Sequence, residues 1–104
     1  MEIRKFIIID GELVMGTVEH HAELIPSRMY GKIKPIGGGR WEWNKERYPN
    51  KLFFFGSSYE FKGVTEEQLR DAYENTLVSL SFENCEVIYS TKEYFSQVLI
   101  ENGL

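Results

Sequence analysis

Apolar residues along the chain follow distinct rhythms, and each rhythm predicts an element. Ile3–Ile9 is rich in isoleucine and apolar at every position from Phe6 onward, the pattern of a strand covered on both faces. Asp10-Gly11 comes next, the dipeptide that best tolerates the positive φ angles of a two-residue hairpin turn. Residues 13–18 then alternate, with Leu13, Met15 and Thr17 on one face and Val14, Gly16 and Val18 on the other, so a hairpin is expected over 3–19. A second alternation covers 40–44, with Trp41 and Trp43 on one face and Arg40, Glu42 and Asn44 on the other. After a turn at Tyr48-Pro49-Asn50, residues 52–55 read Leu-Phe-Phe-Phe, apolar on both faces, and complete a second hairpin over about 40–56.

From Thr65 the period lengthens. Thr65 and Gln68 form a capping box, and Glu66 and Glu67 sit where a helix dipole favours anions. Leu69, Ala72, Tyr73, Thr76, Leu77 and Leu80 then fall within an arc of roughly 140° on a helical wheel. Val78, Leu80 and Phe82 also alternate, so near there the helix either continues or gives way to a strand. Residues 85–89 have strand composition. Ser90 and Glu93 suggest another capping box, ahead of the apolar stripe Tyr94, Phe95, Val98 and Leu99, with Gly103 placed to cap the end. Residues 19–25 suit a single helical turn stopped by Pro26, and 26–39 a loop punctuated by Gly31, Pro35 and three consecutive glycines. The order ββ-loop-ββ-α-β-α predicts an α+β fold with a mainly antiparallel sheet of about five strands and two amphipathic helices, one domain over 1–104. Two helices must cover four or five strands, which would leave some apolar sheet surface for a partner, but ordinary core packing of both faces of residues 52–55 is the favoured reading.

Composition adds a location. With 42% hydrophobic and 14% aromatic residues among 104, a packed core is expected rather than disorder. The lone Cys85 fits a reducing compartment. The four apolar residues that follow the first basic ones are fewer than the ~7–15 of a signal peptide, and no run approaches the ~18 needed to cross a bilayer. A cytoplasmic protein that does not engage membranes is the expectation.

Charge picks out one stretch. Residues 28–51 hold seven of the twelve basic residues and two of the sixteen acidic ones, a formal +5, which leaves −9 on the remainder and −4 overall. Both tryptophans lie in the same stretch, so aromatic and basic side chains interleave there. Trp, Tyr and Arg are the residues enriched at interaction hot spots, and the sign of a local field selects partners. The expected contacts are therefore Arg40, Trp41, Trp43 and Tyr48, with Lys32, Lys34, Lys45 and Arg47 supplying the field. The occupant would be a protein partner, or a second copy in a homodimer that sets this stretch against the acidic remainder. Aromatic stacking with phosphate neutralisation makes nucleic acid the alternative occupant, although the chain as a whole is acidic.

Catalytic chemistry finds little support. Carboxylates flank Cys85, the opposite of the electropositive setting that activates a thiol. Gly56-Ser57-Ser58 lacks the second glycine of a nucleophile elbow. The triglycine runs into a strand pattern rather than a helix N-terminus, so it does not resemble a phosphate cradle. Glu19, His20, His21 and Glu23 are four possible metal ligands within five positions, with His20, His21 and Glu23 the candidates for a small metal-binding domain or enzyme, but successive histidines diverge and a zinc site requires a third protein ligand from elsewhere. An exposed polar turn is the simpler reading of that cluster. No cofactor is expected, and the sequence favours a non-catalytic interaction protein.

Overall fold

The structure is a computed structural model and describes residues 3–104. Five strands form one sheet: β1 (Ile3–Ile9), β2 (Glu12–Val18), β3 (Gly37–Glu42), β4 (Lys51–Phe55) and β5 (Glu86–Tyr89), in the spatial order β2-β1-β3-β4-β5. All neighbours are antiparallel except β4 and β5, which run parallel. Helices α1 (Glu66–Glu74), α2 (Val78–Ser81) and α3 (Phe95–Glu101) complete the α+β architecture, with a single 3-10 turn at His21–Leu24.

The first hairpin closes at the predicted dipeptide: Asp10 and Gly11 both have positive φ (51° and 75°), and Ile9 pairs with Glu12. The second hairpin pairs Arg40 with Phe55, Trp41 with Phe54 and Glu42 with Phe53. The triglycine belongs inside β3, where Gly37, Gly38 and Gly39 pair with Ile8, Ile7 and Phe6, instead of forming a turn ahead of the strand. Close approach explains this. A β-carbon on Gly39 would lie 2.6 Å from the Phe55 carbonyl oxygen, one on Gly37 2.6 Å from that of Gly63, and one on Gly38 would overlap the Phe6 carbonyl oxygen.

Both sheet faces are covered by the chain itself. On one face Phe6, Ile8, Leu13, Leu52 and Phe54 pack under Leu69 and Ala72 of α1. On the other, Ile7 and Ile9 pack with Leu24 and Met29, while Phe53, Phe55 and Ile88 pack with Val98 of α3. The four residues Leu52, Phe53, Phe54 and Phe55 are all buried, as the core-packing reading of this strand expects, so β4 presents no apolar face to a partner. Three elements supplement the two expected helices in covering the sheet: the 3-10 turn, the 26–36 loop through Met29, and α2.

The Thr65–Gln68 capping box forms in both directions, Gln68 N–H donating to Thr65 Oγ1 at 3.1 Å and Thr65 N–H to Gln68 Oε1 at 2.9 Å. The helix it starts ends at Glu74, before Leu77 and Leu80, which are 80% and 67% exposed rather than core. The second box differs as well. Ser90 Oγ accepts from Lys92 N–H, Glu93 accepts from Ser57, and α3 starts later, with Gln97 Oε1 accepting from Tyr94 N–H at 3.3 Å. Gly103 has φ +71°, and Leu104 N–H donates back to the Leu99 carbonyl at 2.8 Å, the expected helix end.

Candidate interaction site

The basic-aromatic stretch divides between the two sides of the sheet. Trp41 and Trp43 are partly buried against the α1 core. Trp41 Nε1 donates to the carbonyls of Lys5 (3.1 Å) and Gly16 (3.3 Å), and Arg4 lies over its ring at 5.6 Å. Trp43 meets Phe82 edge-on at 4.9 Å, with Lys45 over its ring at 5.3 Å. Tyr48 packs on the α3 side, edge-on to Phe53 at 5.7 Å, with Arg47 over its ring at 5.8 Å. Trp41, Trp43 and Tyr48 therefore do not form one stacking platform.

The positive charge is also unevenly available. Arg28 is paired with Glu12 at 2.7 Å and Lys51 with Glu86 at 2.9 Å. Lys45 and Arg47 lie on aromatic rings. Among the described residues, Lys32, Lys34 and Arg40 take part in no ion pair. Arg40 lies on the face opposite the tryptophans, close enough to His21 for its charge to act there.

Lys32 and Lys34 belong to a loop with a defined shape. Met29 and Tyr30 N–H groups donate to the Pro26 carbonyl (2.9 and 3.1 Å), Lys32 and Ile33 N–H groups to the Met29 carbonyl (2.9 and 3.0 Å), and Ile36 N–H to the Ile8 carbonyl (2.9 Å). Gly31 takes φ +77°, a conformation that suits glycine and lets the chain reverse between these turns. Met29 anchors the loop in the core, and the Arg28–Glu12 pair ties it to β2. The backbone is thus consumed in tight turns while Tyr30 (66% exposed), Ile33 and Ile36 face outward. Beside them lies a cavity of about 520 Å³ lined by Tyr30, Lys32, Ile33 and Lys34 with Ala22, Ile25 and Phe61.

The histidine cluster is parted by the fold. His20 is exposed, 4.0 Å from Glu19, and its N–H donates to Glu23 Oε2 at 2.6 Å. His21, expected in an exposed turn, is instead buried. Its ring covers Gly38, and Nε2 is 2.9 Å from the Gly39 carbonyl, which can only accept, so Nε2 carries the proton. Burial pushes its pKa below 6.5. The Gly39 bond and Glu60 oppose that shift, and the charges on Lys5 and Arg40 add to it. Among the described residues, no three His, Cys, Asp or Glu side chains are grouped to hold a metal. Likewise no helix is long and apolar enough to cross a membrane.

Ile33, Ile36, Ile25 and Phe61 were missed as site residues from the sequence. The available signal was Lys32-Ile33-Lys34-Pro35-Ile36, two isoleucines set among two lysines and a proline where no strand or helix would bury them. No protein-family model matches the chain, and neither does any curated protein sequence.

Proposed function

We propose that this chain is a non-catalytic interaction protein that binds a protein partner through the segment 28–51, with Tyr30, Lys32, Ile33 and Lys34 as the contact residues. The carrying observation is the juxtaposition in one loop of exposed apolar side chains, unpaired lysines and a cavity of about 520 Å³. Interface cores combine aromatic and aliphatic anchors with peripheral charge that steers encounter. The loop backbone is already held by its own hydrogen bonds and by Met29, so little ordering cost attends binding there. Arg40, Lys45 and Arg47 contribute field, while Trp41, Trp43 and Tyr48 act by holding the scaffold. Nucleic-acid binding through the same segment is less well supported because its aromatic faces are divided between two sides of the sheet.

The test is site-specific photo-cross-linking in living cells. A benzophenone amino acid replaces Tyr30 in one variant and Ile100, exposed on α3, in another. A discrete protein adduct from position 30, lost on adding Ile33→Asp and absent from position 100, is expected. Equal adducts from both positions, or none from position 30, overturns the reading.

A further inference from the structure

The cavity beside the 28–36 loop has walls of one chemistry and charge of one sign. Ala22, Ile25, Ile33, Pro35 and Phe61 are apolar, and among the described residues the charged ones lining it are Lys32 and Lys34. Among the described residues, no carboxylate lines the cavity. Of the carboxylates near it, Glu23, next to Ala22, accepts from the His20 backbone N–H, and Glu12 is paired with Arg28. Glu60 and Lys62, both exposed, flank Phe61 in the chain with opposite charges, so this turn adds no net charge beside the cavity. Resting on the reading of 28–51 as the partner-binding segment, we propose that this cavity docks an acidic segment of another protein. One bulky apolar side chain of the partner inserts between Ile25, Ile33 and Phe61, and the carboxylates beside it face Lys32 and Lys34.

Three considerations select this occupant. The volume lies within the ~300–1,000 Å³ of pockets that engulf a ligand, so a protruding chain fits the concavity where a flat protein face would not. Burying an apolar anchor supplies the attraction, because the hydrophobic effect scales with the area removed from water. Finally, the two lysines sort the candidates. They repel a basic segment and leave their charge uncompensated against a neutral one, whereas an acidic segment is drawn in and oriented. A nucleic acid would need several reachable base-stacking faces, and Tyr30 is the single strongly exposed aromatic ring on this loop.

Panning a random dodecapeptide library on phage against the full chain, with Lys32→Glu/Lys34→Glu as the counter-selection target, tests this. Enriched peptides are expected to share a bulky apolar residue flanked by Asp or Glu. A synthetic peptide of that consensus is expected to bind the double variant, and separately Ile33→Asp, at least tenfold more weakly. Binding to Lys92→Glu, on the far side of the sheet order, should match the parent chain. Because the altered side chains are exposed, folding is checked by an unchanged Tm, and Lys32→Ala/Lys34→Ala serves as the milder control. A basic or uncharged consensus, or acidic peptides indifferent to the charge reversal, overturns the proposal. A library that yields no enriched sequence overturns it too, and the cross-linking at position 30 then decides the broader reading on its own.

Discussion

Trp41 and Trp43 stand two residues apart on the same side of the sheet, yet their indole nitrogens are treated differently. Trp41 Nε1 has two carbonyl acceptors, whereas Trp43 Nε1 is buried without a partner among the described residues. Removing a satisfied donor leaves its acceptors unpaired, while removing an orphan relieves a desolvation penalty. Trp41→Phe is therefore expected to cost about 1 kcal/mol or more, and Trp43→Phe to be neutral or slightly stabilising, in urea unfolding followed by circular dichroism. His21 supplies a second residue-level expectation. Its folded pKa lies below the unfolded 6.5, so the unfolded chain takes up the proton first. Its contribution is fully present above pH 6.5 and is lost as the pH falls from there through the folded pKa. Unfolding free energy measured across that range should drop more steeply for the parent chain than for His21→Gln; parallel slopes would contradict the burial of the ring.

At the scale of elements, β3 shows how much depends on three missing side chains. Glycine is normally a poor strand residue. Here it lets β3 lie between β1 and the turn that follows β4: Gly38 N–H donates to the Lys62 carbonyl at 2.9 Å and its carbonyl accepts from Ser58 N–H at 3.0 Å. Gly38→Ala would drive a methyl group into the Phe6 carbonyl and toward His21, so a loss of roughly 2–3 kcal/mol is expected in the same unfolding assay. A change within experimental error would mean that the strand is not packed this closely. Sequence pattern could not reveal this element, because a glycine run carries no periodicity, and what fills the space above it comes from residues 21 and 58–63. By contrast the Asp10-Gly11 hairpin, the Thr65 cap and the Gly103 helix end were legible, each depending on contacts within a few residues. Leu77 and Leu80 illustrate the opposite failure. Their spacing continues the α1 stripe, but the helix stops at Glu74, and just beyond it Thr76 Oγ1 accepts from Leu13 N–H at 3.0 Å, a contact from distant sequence that the stripe does not foretell.

For the whole molecule, the +5 segment is not a uniform patch. Its arginines and lysines are divided among carboxylates, aromatic rings and open solvent, and the sequence showed only their sum. The candidate site was legible as a stretch but not as a surface, since Tyr30, Lys32 and Lys34 acquire their neighbours Ile25 and Phe61 only through folding. The central claim, that a partner covers the 28–36 loop, is tested most directly by lysine footprinting. Amine acetylation, quantified by mass spectrometry, is compared between the purified chain and the chain inside intact cells. Lys32 and Lys34 are expected to be protected in cells, while Lys92, also exposed, reacts as it does in the purified chain. Unchanged reactivity at Lys32 and Lys34, or protection centred on Lys92 instead, would contradict it.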